Sequence, residues 1–308
     1  MLKVVNLTKR YGSLEVLRGI SFEVKKGSIY GFLGPNGSGK TTTMNILSGL
    51  IGFNGGEIYL NECDFMKNKR ELLKKVGYLP QSPVFYGYMT AVEYLTFMGK
   101  LGGMENGKIR SRIAELLGIV KLSESAKRRI GGYSGGMKQR LGLAAALFNS
   151  PELVFLDEPT SALDPEGRME VLEFIEGLRK SGTTVFFSTH ILNDIERVCD
   201  EVSILSGGKI LVSDNLESLK SKYIQPIYDV EFEENFGDLE NRFKSVPWIQ
   251  KTVIKGNRAT IYVSDMNRAK GEILGLITKE NNPVTSFNLR KSNLEDIFIR
   301  LVNNDENV

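Results

Sequence analysis

The sequence predicts an α/β fold built around a glycine-rich loop, with a helical block inserted into the sheet and a small α+β domain after it. Three observations carry this. The apolar run Ile29–Leu33 leads straight into Gly34-Pro-Asn-Gly-Ser-Gly-Lys40-Thr41-Thr42 and then into a helix-forming stretch. Short β-rich runs flank a block, roughly Gln81 to Tyr133, in which apolar residues recur at spacings of three and four. Beyond a polar segment at Lys220–Pro226, a second pattern of βαββαβ type follows, which is the ferredoxin-like order.

Taken in order, strands are expected over Leu2–Leu7, Ile20–Val24, Ile29–Leu33 and Glu57–Leu60, with the helix after the loop falling near residues 41–49. Ala91–Met98 and Ile109–Leu117 then read as amphipathic helices. After Asn149-Ser-Pro151 the βαβ rhythm returns, with a strand at Leu153–Leu156, a helix over Glu166–Lys180 and a strand from Thr183 to Phe187. This alternation argues for a sheet with helical crossovers into which the middle block is inserted. In the last part, strands are expected at Ile227–Phe232, Ile249–Ile254, Ala259–Val263 and Val284–Leu289, with helices near 236–244 and 266–280. A final helix is expected from Asn293 behind the cap residue Ser292. The expected division is therefore 1–219 for the main domain, with its helical subdomain at about 83–148, and 226–308 for an accessory domain. A main domain of that size buries an adequate core without a partner.

Composition excludes several classes. The chain has 308 residues and a formal net charge of +3, too small to argue for nucleic acid as a partner. Its two cysteines, Cys63 and Cys199, have no short spacing, which suits a reducing compartment and argues against a metal site built on thiolates. The N-terminus has scattered charges and no apolar core of a signal peptide, and no stretch approaches the ~18 uninterrupted apolar residues of a membrane span. The expectation is a cytoplasmic protein that serves a membrane, if it does so at all, from outside the bilayer.

The loop fits G-x-x-x-x-G-K-[ST], with Gly34, Gly39, Lys40 and Thr41 in the fixed positions. Glycines let backbone N–H groups turn inward around phosphate oxygens, and the helix N-terminus adds partial positive charge. The whole stretch Gly34, Pro35, Asn36, Gly37, Ser38, Gly39, Lys40, Thr41 and Thr42 is the expected nucleotide cradle. Lys40 would reach the β- and γ-phosphates, and the Thr41 hydroxyl would ligate Mg²⁺. A second motif, Leu153-Val-Phe-Leu-Asp157-Glu158-Pro159, ends an apolar run in two acids. Asp157 could hold Mg²⁺ directly or through water, and Glu158 could polarise a water for in-line attack. A plain strand followed by a polar turn explains this second motif equally well when it is taken alone. A third, Tyr133-Ser134-Gly135-Gly136-Met137-Lys138-Gln139-Arg140, opens another helix with a hydroxyl and two small residues, a further anion site.

With this third motif the sequence resembles the nucleotide-binding subunit of an ATP-binding cassette (ABC) transporter, whose signature is usually written L-S-G-G-Q. Tyr133 and Met137 depart from that pattern where backbone and serine do the binding. The resemblance covers about residues 2–215 and implies a P-loop NTPase fold of ABC type, with ATP and Mg²⁺ as cofactors. It further implies that Tyr11 stacks on adenine, that Gln81 touches Mg²⁺ and senses the γ-phosphate, and that Ser161-Ala-Leu-Asp164 crosses a dimer interface. His190, the only histidine, matches the switch residue that bonds the γ-phosphate. Lys40, Gln81, Glu158 and His190 are thus the expected catalytic residues, and Thr41, Gln81 and Asp157 the expected metal ligands. Residues 220–308 resemble the C-terminal extension of subunits that drive exporters, with Asn293-Leu-Glu-Asp-Ile-Phe298 near its end like a short acidic-aromatic signature. An ordinary amphipathic helix accounts for that last segment as well.

In that family two subunits pair head to tail, so each ATP lies between one chain's phosphate loop and the other's Ser134-Gly135-Gly136. The implied function is ATP hydrolysis that powers a transporter, export being favoured, with membrane-spanning permease subunits and a second copy of the chain as partners at the inner face of the membrane. The alternative is a soluble ABC ATPase with a regulatory role. Ribosome-acting relatives carry two cassettes in one chain. Chromosome and repair ATPases insert long coiled coils where this chain has 134 − 40 = 94 positions. A small-molecule kinase gives no account of Ser134-Gly-Gly136.

Overall fold

Strands with no room for water fix the centre of the first part of the molecule. β1 (Leu2–Tyr11), β2 (Leu14–Val24) and β3 (Ile29–Leu33) open the chain, and every residue of β3 is buried. After α1 (Lys40–Leu47) come β4 (Gly55–Leu60), β5 (Cys63–Asp64), α2 (Phe65–Leu73) and β6 (Val76–Leu79). The helical block holds α3 (Ala91–Leu101), α4 (Asn106–Ile119) and α5 (Gly135–Ala146). Then follow β7 (Leu153–Asp157), α6 (Pro165–Lys180), β8 (Thr184–Thr189), α7 (Leu192–Val198), β9 (Glu201–Ser206) and β10 (Lys209–Asn215). Of these, β5, β6, β9, β10, α2 and α7 were not expected from the sequence. The computed structural model describes residues 1–161, 163–223, 226–234, 243–278, 283–291, 294, 296 and 297. Its contacts divide between Met1–Leu216 and Glu217–Val308, and each part is described by itself.

The first part has two sheets. One is six-stranded, in the order β10-β9-β3-β8-β7-β6, with β6, β7, β8, β3 and β9 parallel to one another and β10 antiparallel to β9. The other, β2-β1-β4-β5, is antiparallel. A parallel sheet covered on both faces demands buried, largely apolar strands; β3 meets that demand throughout, β7 up to its terminal Asp157, and β8 in its centre Val185–Phe187. Aromatic rings join the two sheets: Phe22 of β2 packs 5.5 Å from Phe32 and from Phe186, and Tyr30 stacks on Phe186 at 5.4 Å. The Tyr30 hydroxyl, which burial holds above its usual range, satisfies itself on Ser203 and Ser213.

Local chemistry sets the helix ends. Thr90 and Glu93 form a reciprocal capping box at the start of α3, with Thr90 N donating to Glu93 Oε2 at 2.8 Å and Glu93 N to Thr90 Oγ1 at 3.2 Å. The Arg112 guanidinium of α4 closes α5 by donating to the carbonyls of Leu147 at 2.7 Å and Phe148 at 3.2 Å. Asp164 caps α6, accepting from Gly167 N at 2.9 Å, and Pro165 takes its first turn.

The second part contains β11 (Pro226–Phe232), β12 (Ile249–Lys255), β13 (Arg258–Val263), α9 (Met266–Ile277) and β14 (Val284–Lys291). Its sheet is wholly antiparallel in the order β12-β13-β11-β14, the ferredoxin-like arrangement. The core sets Phe232, Phe243 and Trp248 against Ile261 and, on α9, Ala269, Ile273 and Ile277. The helix expected near 236–244 lies almost wholly outside the described residues, as do Ser292, Asn293 and Phe298 of the expected final helix. One expectation is corrected here. The segment from Lys220 reads as a polar linker, but it continues α8 (Leu216–Tyr223), which is anchored by buried Leu216 and Leu219.

A chain ended after Leu216 should still fold and bind nucleotide, because all expected nucleotide residues precede that point. Retained affinity in equilibrium binding of a fluorescent ATP analogue supports this division of labour, and a folded fragment that fails to bind contradicts it.

Candidate nucleotide-binding and catalytic site

Four adjacent parallel strands end at one edge of the large sheet, and a functional segment follows each. Ligands of open α/β sheets collect outside such carboxyl ends. The register pairs Leu79 with Leu156, Asp157 with Ser188, and Leu33 with Thr189. Gln81 therefore follows β6 by two residues, Glu158 follows β7, His190 follows β8 and the glycine-rich loop follows β3. The loop, Lys40, Thr41, Thr42, Gln81 and Glu158 wall an open cleft of about 540 Å³, and His190 is tied to it through Glu158. A larger hollow of about 720 Å³ lies between the helical block and α6. Its Arg112 is already spent on two carbonyls.

The loop needs glycine at two points for physical reasons. Gly39 has φ +109°, which other residues rarely adopt, and it forms the left-handed cap of α1. At Gly34 any Cβ would lie 2.4 Å from the Leu205 carbonyl oxygen. This turn folds Lys40 back over its own loop: Nζ donates to the carbonyls of Gly34 at 2.8 Å and Pro35 at 3.2 Å. The same ammonium stands 3.3 Å from Glu158 Oε1, and both side chains are almost fully buried. Glu158 Oε2 is 2.8 Å from His190 Nδ1, a spacing at which an Nδ1–H donates to the carboxylate. Lys40, Glu158 and His190 thus form a chain across three strand ends.

Asp157 is wholly buried, and burial pushes its carboxyl above the usual carboxylate range. A hydrogen bond from Ser188 is the chief opposing influence, followed by the nearby Thr41 hydroxyl; the Glu158 charge adds to the rise. Among the described residues of this first part, two buried side-chain polar atoms have no hydrogen-bond partner, Ser38 Oγ and Asp157 Oδ2. A buried polar atom left unsatisfied costs about 1–3 kcal/mol, so both positions favour a ligand. One sits in the loop, where a phosphate oxygen would lie, and the other beside Thr41, where a divalent cation would. The available donors, the Thr41 hydroxyl, the Asp157 carboxylate and the Gln81 side chain, are oxygens, as the hard ion Mg²⁺ prefers. Among the described residues no three His, Cys, Asp or Glu side chains cluster as metal ligands. The residues present therefore fit Mg²⁺ held by few protein groups and completed by phosphate and water.

Other expected residues stand apart from the cleft. Ser134 caps α5, its Oγ accepting from Met137 N at 3.2 Å, and both Ser134 and Gly135 are exposed. Ser134, Gly135 and Gly136 are not among the residues that wall the cleft. Tyr133 is buried and donates to the Ser125 carbonyl at 2.7 Å. Tyr11 sits at the end of the β1–β2 hairpin with 49% of its surface exposed and Lys9 Nζ 4.8 Å over its ring. Of Ser161–Asp164, Ala162 lies outside the described residues.

Several residues that sequence reasoning passed over tie these parts together. Gln139, buried on α5, donates to the Pro159 carbonyl at 3.2 Å and so links the helix after Ser134 to the loop after Glu158. Asp194, with no exposure, accepts from Thr160 Oγ1 at 2.6 Å and from Arg168 at 2.6 Å. Ser188 bridges Asp157 and the Glu158 amide. Leu14 and Val16 of β2 form the cleft's apolar wall. One signal was available: a hydroxyl in a fully buried strand must find a partner, and Ser188 of β8 is such a residue.

Known proteins are similar to this chain along most of its length. The profile of the ABC transporter family matches residues 17–161, and that of the ATP-binding protein DrrA1-3-like C-terminal domain matches residues 215–302. The uncharacterized ABC transporter ATP-binding protein YxlF of Bacillus subtilis is 40% identical, over 98% of this chain and 99% of its own length. The bacitracin transport ATP-binding protein BcrA of Bacillus licheniformis is 36% identical, over 98% of this chain and 97% of its own. Among solved structures, a dimeric ATP-binding cassette in a post-hydrolysis state with ADP and phosphate bound superposes with a TM-score of 0.65 at 26% identity, covering 70% of this chain and 99% of that one.

Replacing Lys40 by alanine should weaken ATP binding by roughly ten- to a hundredfold, since a hydrogen bond to a charged group is worth about 1.5–3 kcal/mol, and should abolish turnover. Phosphate release at the wild-type rate from the Lys40→Ala protein would remove the loop from the site.

Proposed function

This chain belongs to the ATP-binding subunits of ABC transporters, and from that premise we propose how its residues divide the work of hydrolysis and coupling. The protein binds and hydrolyses ATP, and nucleotide-driven dimer closure powers a membrane transporter. The loop Gly34–Thr42 holds the phosphates, Lys40 meeting the β- and γ-phosphates once they displace its present partners. Thr41, Gln81 and Asp157 hold Mg²⁺, which when bound neutralises charge on the phosphate oxygens. Glu158 is the base that takes a proton from the attacking water, and His190 holds the γ-phosphate while keeping the Glu158 carboxylate in place. Tyr11 offers its exposed ring to adenine.

A single observation carries the division between chains. Lys40, Gln81, Asp157, Glu158 and His190 converge at one sheet edge, whereas Ser134 and Gly135 are exposed and take no part in that cleft. Their N–H groups, their hydroxyl and the start of α5 make an anion site that meets no anionic side chain among the described residues. It serves the γ-phosphate held by a second copy, so ATP binds the closed dimer better than the open one, which coupling requires.

Permease subunits are the membrane partners in this reading. Val84, Tyr86, Tyr88 and Leu101 expose large apolar surface on the helical block, and they form the face that meets the permease. Among the described residues no helix is long and apolar enough to cross a membrane, which suits a subunit docked at the inner face of the membrane. Export is the proposed direction, because the relative named for bacitracin transport aligns along nearly the whole chain, including the C-terminal part.

With Glu158→Gln the shape of the side chain survives while the proton acceptor is lost. That variant should bind ATP and accumulate as a dimer in size-exclusion chromatography with Mg²⁺ present. A variant that hydrolyses ATP at the wild-type rate would pass the base role to another residue.

A further inference from the structure

Ser188 is a fully buried hydroxyl on β8, directly opposite Asp157 in the parallel register. Its Oγ lies 2.5 Å from Asp157 Oδ1, and it accepts the Glu158 backbone N–H at 3.1 Å. A backbone N–H can only donate, so the single Ser188 proton must point at Asp157 Oδ1. That oxygen is then satisfied. Its twin, Oδ2, is the buried atom with no partner. Glu158 itself has φ +49°, a left-handed conformation that is strained for a residue with a side chain. Its amide is shared between Ser188 Oγ and the Ser188 carbonyl, each at 3.1 Å, and this fork holds the strained turn.

We propose that Ser188 is a positioning residue for hydrolysis: it turns Asp157 so that Oδ2 faces the cation, and the same hydroxyl anchors the backbone of Glu158. This rests on the reading of Asp157 as a Mg²⁺-binding residue. Ser188 touches neither nucleotide nor cation and acts only through its two neighbours. Alanine would remove both bonds from Oγ, leaving the Asp157 carboxylate free to rotate and the Glu158 amide held by one carbonyl. Threonine would keep the hydroxyl in a strand position that suits a β-branched side chain.

The test measures binding rather than turnover, on the full chain, with the slowly hydrolysed analogue ATPγS titrated in EDTA and in saturating Mg²⁺. Wild type, Ser188→Ala, Ser188→Thr and Asp157→Asn are compared. In EDTA the Ser188 variants should match wild type, since the phosphate loop is intact. The gain in affinity on adding Mg²⁺ should fall roughly tenfold in Ser188→Ala, the scale of one hydrogen bond to a charged group, and return in Ser188→Thr. If Ser188→Ala keeps the full gain while Asp157→Asn loses it, the role of Ser188 is wrong and the cation site stands. If Asp157→Asn also keeps the gain, the cation reading itself falls and takes this inference with it. Equal weakening of Ser188→Ala in EDTA and in Mg²⁺ would mark a packing defect and overturn the proposal.

Discussion

The site depends on the buried ion pair between Lys40 and Glu158, 3.3 Å apart with only 5% and 3% of their side chains exposed. Taking two charges out of water is costly, and a buried pair left with one member is destabilised by about 3–5 kcal/mol. Each partner therefore draws in more support: two loop carbonyls complete the ammonium, and His190 completes the carboxylate. This requirement ties together three segments far apart in sequence. A phosphate entering the cleft meets a lysine already paired with Glu158 and must compete for it.

The sheet makes the pair possible. Parallel strands with no polar interruption in β3 and a carboxylate only at the end of β7 hold a fixed register, so consecutive strand ends arrive level with one another. Bonds from behind keep the loops from drifting. Asp194 grips both Thr160 and Arg168, which locks the segment after Glu158 to the start of α6 and to the helix after His190. Gln139 extends that connection to the helix opened by Ser134. The helical block is thereby tied to the Pro159 carbonyl, one residue from Glu158.

Much of this was legible in the sequence, and the rest follows a physical pattern. The loop, the paired acids and the second helix start are local arrangements of glycine, lysine, carboxylate and serine whose chemistry is stated by spacing. Ser188, Asp194 and Gln139 act on partners 31, 34 and 20 positions away, and nothing in a linear reading brings those positions together. The segment at Lys220 misled for a related reason: its polarity suggests a linker, while the anchors Leu216 and Leu219 lie just before it, three apart on the buried face of α8. Short strands such as β5 and β6 also escaped notice, because two to four residues are too few to show a period.

The central claim is that one chain supplies half of each nucleotide site and a second copy the other half. Asn36 and Gly135 are both exposed, and a side chain added at Gly135 meets nothing within 4 Å. With exposed Cys63 replaced by serine and Cys199 buried, single cysteines can be placed at Asn36 in one preparation and at Gly135 in another, both carrying Glu158→Gln to hold ATP. Mixing the two with ATP and Mg²⁺ under mild oxidation should yield a disulfide-linked dimer of the two different variants, and omitting ATP should suppress it. Absence of that mixed dimer, together with an internal Asn36–Gly135 disulfide when both cysteines share one chain, would contradict the account.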